Sequence, residues 1–165
     1  GASFAGVLIG APDEKWLLCA SDGYGFVAQL AELASRNRSG KLVLKASGKA
    51  QVLRPSPALT AEGALVAAVS SSGKLLVFPA AELPELARGR GNKMLGIDAK
   101  KFAAGEEAMV SAVVLPPDAA LKVVCGQRVM TLKPKDLEPY LGERARRGAL
   151  LPRGWRKVDE LAIEP

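Results

Sequence analysis

The chain contains no histidine, which removes every Ser-His-Asp or Cys-His nucleophilic arrangement and all His-containing zinc sites. Cysteine is scarce. Cys19 and Cys125 stand far apart, each inside an apolar run, and they read as two buried thiols in a reduced compartment. Aromatic residues make up 5% of the sequence and none alternates with the basic clusters, which argues against a stacking platform for single-stranded nucleic acid. No apolar run approaches the roughly 18 residues of a membrane span, and no secretory leader is visible. A cytoplasmic setting is therefore the expectation.

What is present is a soluble-type composition: 165 residues, 48% hydrophobic and 24% charged, enough for one domain with a sizeable core. Net charge is +6 and the isoelectric point is about 9.5. The placement of the cations says more than their sum. Arg88-Gly89-Arg90-Gly91-Asn92-Lys93 holds three cations and no acid on a backbone loosened by two glycines. Arg36-Asn37-Arg38-Ser39-Gly40-Lys41 repeats the pattern, and Arg144-Ala145-Arg146-Arg147-Gly148 gives a third, weaker copy. The copies start 52 (88 − 36) and 56 (144 − 88) residues apart. A basic loop at near-constant spacing is one surface feature displayed once per structural unit.

The apolar pattern between the loops repeats as well. Trp16–Ala20 and Tyr24–Ala28 flank Ser21-Asp22-Gly23, Leu65–Val69 and Leu75–Phe78 flank Ser71-Ser72-Gly73-Lys74, and Leu121–Cys125 and Arg128–Leu132 flank Gly126-Gln127. Each pair predicts a β-hairpin. Leu30-Ala31-Glu32-Leu33 predicts one helical turn, with Ala80-Ala81-Glu82-Leu83 as its counterpart. Further strands are expected at Val7–Ile9, Leu42–Leu44, Ala50–Leu53, Met109–Leu115 and within Arg156–Ile163, and a polar turn at Phe102–Glu107. Prolines 55 and 57 are expected to stop the first unit, because proline cannot donate to a central ladder. Four short strands per unit of about 50 residues is the form of a blade in a radial all-β array. The expected units are 1–57, 58–117 and 118–165. Three blades do not close a ring, so this array is part of a longer one or its end blades are covered.

Taken together, Ser21-Asp22-Gly23-Tyr24-Gly25-Phe26-Val27, Ala34–Lys41, Gly89-Arg90-Gly91-Asn92-Lys93 and Gly142–Gly148 resemble the C-terminal domain of the A-type subunit of topoisomerase IV, in matching order over essentially the whole chain. The resemblance implies a β-pinwheel: a propeller-like array of four-stranded blades that exchange a strand between neighbours and carry a basic rim for bent duplex DNA. Such domains usually have about five blades, so the chain resembles the last three. The resemblance also implies a parent enzyme that includes a B-type ATPase component and uses Mg2+ and ATP. The catalytic tyrosine, metal-binding acids and ATPase lie elsewhere, so no catalytic residue, metal ligand or cofactor is assigned here. Gyrase members carry a Gln-Arg-Arg-Gly-Gly-basic-Gly box in the first blade; no segment here matches it, the nearest being Glu143–Gly148.

The candidate DNA contacts are Arg36, Arg38, Lys41, Arg88, Arg90, Lys93, Arg144, Arg146 and Arg147. Lys45, Lys74, Arg153, Arg156 and Lys157 are candidates for an extended rim or for a protein partner. Arginine forks pair with phosphate oxygens and glycines let backbone N–H groups approach them, so contacts to backbone with little base readout are expected. Tyr24 and Phe26 read as blade packing, and Trp16 and Trp155 as candidate anchors between blades. The expected role is non-catalytic binding and bending of duplex DNA, in a nucleoid-associated setting. The alternative is a protein-interaction propeller that meets an acidic, condensin-like chromosome-organising partner.

Overall fold

Three antiparallel hairpins form where glycine-containing turns separate apolar runs. A computed structural model of the chain describes residues 3–58 and 62–164. Its strands are β1 (Lys15–Cys19), β2 (Tyr24–Gln29), β3 (Ser56–Pro57), β4 (Leu65–Ser70), β5 (Lys74–Pro79), β6 (Asn92–Lys93), β7 (Met109–Leu115), β8 (Ala120–Cys125), β9 (Arg128–Leu132), β10 (Ala149–Leu150) and β11 (Glu160–Glu164). Single-turn helices occupy α1 (Leu30–Leu33) and α2 (Ala99–Ala103), and 3-10 turns occupy Ala80–Glu82 and Pro134–Tyr140.

The strands make three sheets, ordered β3-β1-β2-β6, β10-β5-β4-β7 and β11-β8-β9. Strand exchange is explicit in this order. The basic loop of the second unit supplies β6 to the first sheet, and that of the third unit supplies β10 to the second sheet. Two sheets are thus four-stranded, and the third has three strands among the described residues.

The middle sheet is buried on both faces, which explains why its strands read as unbroken apolar runs rather than alternating ones. Val66, Ala68, Leu76 and Phe78 pack against Leu17, Cys19, Met94 and Met109 on the side of the first sheet. Their neighbours Ala67, Val69, Leu75 and Val77 pack against Leu121, Val123, Leu151 and Leu161 on the side of the third. The outer face of the first sheet buries Leu18, Phe26 and Ala28 under Leu8, Leu33, Val43, Leu44 and Leu86. Cys19 and Cys125 are buried free thiols in different sheets. Trp155 packs against the second of these cores, and Trp16 lines a groove with Arg54, Val110 and Glu160.

Several sequence expectations are corrected here. Val7–Ile9 forms no strand: Val7 and Ile9 are exposed and only Leu8 packs inward. Leu42–Leu44 forms only a parallel bridge from Leu44 to Gly89, since Val43 and Leu44 cover the outer face of the first sheet instead of joining a ladder, while Leu42 is exposed. Ala50–Leu53 makes a single bridge, Val52 to Ala20, and with β3 it forms an edge of the first sheet interrupted at Arg54-Pro55. Pro55 therefore breaks this edge without ending it, and Pro57 is the last residue of β3, at a sheet edge where a missing N–H donor is tolerated. The polar turn expected at Phe102–Glu107 is present at Ala104–Glu106 around Gly105 (φ 75°), but its first two residues close α2, whose Asp98 cap accepts from the N–H groups of Lys100 and Lys101. The final strand is confined to Glu160–Glu164.

Candidate nucleic-acid interface

The exchanged strands carry the basic loops. Asn92 and Lys93 pair with Gly25 and Tyr24 of β2, while Ala149 and Leu150 pair with Leu75 and Lys74 of β5. The seams are equivalent to the residue. The N–H of Met94 donates to the Gly23 carbonyl at 2.7 Å, and that of Leu151 to the Gly73 carbonyl at 2.9 Å. Gly91 (φ 80°) and Gly148 (φ 77°) hold the left-handed turn before each strand. At both, the backbone of the neighbouring sheet fills the space a Cβ would need, the Gly25 oxygen in one seam and the Leu75 oxygen in the other. Glycine is required twice over, by conformation and by close approach. Gly40 (φ 80°) occupies the same place in the first loop but has nothing within 4 Å of its Cβ position.

Successive loops are also stitched to each other. Backbone hydrogen bonds join Lys45 N–H to the Gly89 carbonyl and Gly89 N–H to the Val43 carbonyl, both at 2.8 Å, so the exit of the first loop lies against the second. One unit on, Gly96 N–H donates to the Arg146 carbonyl at 2.8 Å and Ala145 N–H to the Met94 carbonyl at 2.9 Å. The Arg144 guanidinium adds a 2.7 Å bond to the Lys93 carbonyl. The three loops form one row, and Lys45 sits within it.

The charges along this row are not equivalent. Among the described residues, the side chains of Arg36, Arg38, Arg88, Lys93 and Arg147 make no hydrogen bond or ion pair. The side chains of Lys41 and Arg144 donate only to carbonyl oxygens, of Glu32 and Lys93, although the Arg144 backbone N–H donates to the Glu82 carboxylate at 3.1 Å. Two arginines are paired with acids. Arg146 meets Glu143 at 3.1 Å on the exposed surface, a contact of little energetic weight. Arg90 folds inward: its guanidinium meets Asp22 at 3.1 Å and lies 3.7 Å from the centre of the Tyr24 ring. Asp22 is buried and Tyr24 half-buried. Of the outlying candidates, Lys74 stands opposite Leu150 in the second seam. The side chain of Arg156 donates to the Leu151 carbonyl at 2.8 Å and fills the space beside Gly73. Arg153 and Lys157 are exposed, and no hydrogen bond or ion pair among the described residues joins them to the row.

Asp22 and Tyr24 were not legible as partners of Arg90 from one unit alone. The signal lay in the repeat: Ser21-Asp22-Gly23-Tyr24 aligns with Ser71-Ser72-Gly73-Lys74, and the change from acid and ring to serine and lysine falls beside the basic loop.

No protein-family model matches the chain. It is 40% identical over 164 residues to the A-type subunit of DNA topoisomerase 4 from Pseudomonas aeruginosa, covering 99% of this chain and 22% of that protein. The corresponding protein of Escherichia coli is 36% identical over the same share of each chain. Among solved structures, the E. coli ParC C-terminal domain superposes with a TM-score of 0.84 at 34% identity, over 95% of this chain and 63% of that one. The chain belongs to the ParC family of topoisomerase IV C-terminal domains. It spans about a fifth of the length of these curated relatives. A DNA gyrase A C-terminal domain shares the fold, with a TM-score of 0.70 at 14% identity over 94% of this chain and 50% of that one. The three exchanged sheets are thus an all-β, β-pinwheel arrangement.

Proposed function

We propose that this domain binds and bends duplex DNA without catalysing its breakage, and presents it to the catalytic core of a type II topoisomerase for decatenation and supercoil relaxation. The observation that carries the reading is the row of stitched loops in which the side chains of seven of nine candidate cations lack an acidic partner among the described residues. Phosphates spaced along one side of a duplex are the complement of such a row, because each fixed cation releases condensed counterions when it meets one. Arginine forks suit the paired oxygens of a phosphate. The scarcity of aromatic side chains beside them favours duplex over single strand.

Bending a 20–30 base-pair site by 40–90° costs on the order of 1–6 kcal/mol, which several charge-assisted contacts can offset. The remainder of a ParC-type protein and a B-type ATPase would be the working partners, and Mg2+ and ATP would act outside this domain, in a nucleoid-associated complex. The test is a duplex titration over a range of salt. Contacts to roughly six phosphates give a log–log slope of about −5, and affinity that ignores salt would overturn the reading. A condensin-like acidic partner on the same rim is the second reading. Arg88, Arg90 and Lys93 all changed to Glu would separate the two if duplex affinity fell while partner capture persisted.

A further inference from the structure

The two seams share one backbone and differ in chemistry. Arg90 precedes by three residues Lys93, which pairs with Tyr24; Arg147 precedes by three residues Leu150, which pairs with Lys74. The two arginines therefore occupy equivalent places. In the first seam the guanidinium finds a buried carboxylate and an aromatic face. In the second seam Ser72 stands where Asp22 stands, with its hydroxyl 2.8 Å from that of Ser70, and Lys74 stands where Tyr24 stands. Arg147 makes no hydrogen bond or ion pair among the described residues, and its equivalent neighbour is a second cation. Asp98 is near enough for the Arg147 charge to help hold its carboxyl low, after the Lys101 and Lys100 N–H groups and the Lys101 charge, but it forms no pair with it.

We infer that Arg90 is a positioning residue that latches the second loop onto the Asp22–Tyr24 turn, and that Lys74 and Arg147 together form the phosphate-binding site at the equivalent point of the next seam. The first seam has met its charge internally. The second presents two cations where the first presents an ion pair and a ring, so a DNA phosphodiester is the counter-ion that completes it. Within that seam Arg147 offers a phosphate a fork and Lys74 a point charge, the two recognition modes those groups have. Arg90 acts through the loop it fixes, which keeps Arg88 and Lys93 in the row.

This inference rests on duplex binding by the row, and the experiment separates its failure from a failure of that reading. The 165-residue chain is titrated with a labelled duplex of roughly 30 base pairs over a range of salt concentrations. Binding by the unaltered chain with a steep salt slope tests the proposed function alone. Given that, Arg147→Gln and Lys74→Gln should each flatten the slope by about 0.9, or about eightfold in affinity per tenfold change in salt. Arg90→Gln should lower the melting temperature and leave the slope unchanged. Asp22→Asn should steepen the slope by about 0.9 as the guanidinium is released to the duplex. The assignment is overturned if Arg90→Gln flattens the slope as Arg147→Gln does, if Asp22→Asn leaves it unchanged, or if neither Lys74→Gln nor Arg147→Gln moves it. Should Arg90→Gln fail to fold, the Asp22, Lys74 and Arg147 variants decide by the same criteria.

Discussion

Replacing Gly148 by alanine would drive a Cβ into the Leu75 carbonyl group, at a residue with φ of 77°. Leu75 lies in β5, in the interior of a four-stranded sheet with its side chain fully buried, and cannot yield. The exchanged strand must move off instead. It would take with it the bond from Leu151 N–H to Gly73 and the burial of Leu151, which is 0% exposed. Losing a buried leucine contact alone is worth about 1.5–3 kcal/mol, and the left-handed backbone adds about 1–2 kcal/mol for any residue with a Cβ. Alanine also lowers the entropy of the unfolded chain, an offset of about 0.4–1 kcal/mol. The net expectation is a loss of about 2–4 kcal/mol, or on the order of 10 °C in melting temperature for a chain this long. Gly91→Ala should behave alike, because its Cβ would strike Gly25. Gly40→Ala, with the same φ class and no neighbour, should cost no more than about 1 kcal/mol. Urea and thermal unfolding followed by circular dichroism measure all three. Equal costs at the three glycines would refute the claim that two of them are held by a neighbouring sheet.

Other consequences can be measured as directly. Ala145 is the described non-glycine residue with positive φ, at 72°, so Ala145→Gly should stabilise the chain by roughly 0.5–1 kcal/mol in urea unfolding. Burial, with the nearby Asp22 charge, pushes the Cys19 thiol from 9.0 up to about 12. The folded state then holds its proton where the unfolded state loses it. Cys19 should lower stability by about 1.4 kcal/mol per pH unit between 9 and about 12, and Cys19→Ala should remove that part of the alkaline loss, leaving the smaller part due to the likewise raised Cys125 and Tyr140. The Asp98 carboxyl is held below its ordinary 3.8, first by the Lys101 N–H. Its contribution is present above that value and lost as pH falls through the acid range, so Asp98→Ala should flatten the acid limb of a melting-temperature profile. Reversing Arg36 and Arg38 to Glu should weaken duplex binding by about tenfold or more without changing the melt.

The hairpins were legible because a glycine turn between two apolar runs is a local signal, and the turns at Gly23 and Gly73 meet it. The middle sheet was legible from its unbroken apolar strands, whose neighbours must cover both faces. The exchanged strands were not legible from the residues themselves. Asn92-Lys93 and Ala149-Leu150 are two residues long, with no period to read, and their partners lie far back in the chain. Only the family resemblance implied them. Leu42–Leu44 and Ala50–Leu53 misled for a related reason: a short apolar run can cover a sheet as well as join it. At the site, the sequence located the cations but treated them as equals. What separates Arg90 from Arg147 is a neighbour across a seam, set by register and not by local composition.

Because the first and second sheets each borrow an edge strand from the next unit along the chain, neither can be finished by the segment that begins it. On a ribosome, the hairpin of β1 and β2 would wait for residues 92–93 to emerge, and that of β4 and β5 for residues 149–150. Until then a nascent chain exposes a β2 or β5 edge of open hydrogen-bonding groups. Maturation of these two sheets proceeds as a relay, in which each is sealed by its successor's synthesis.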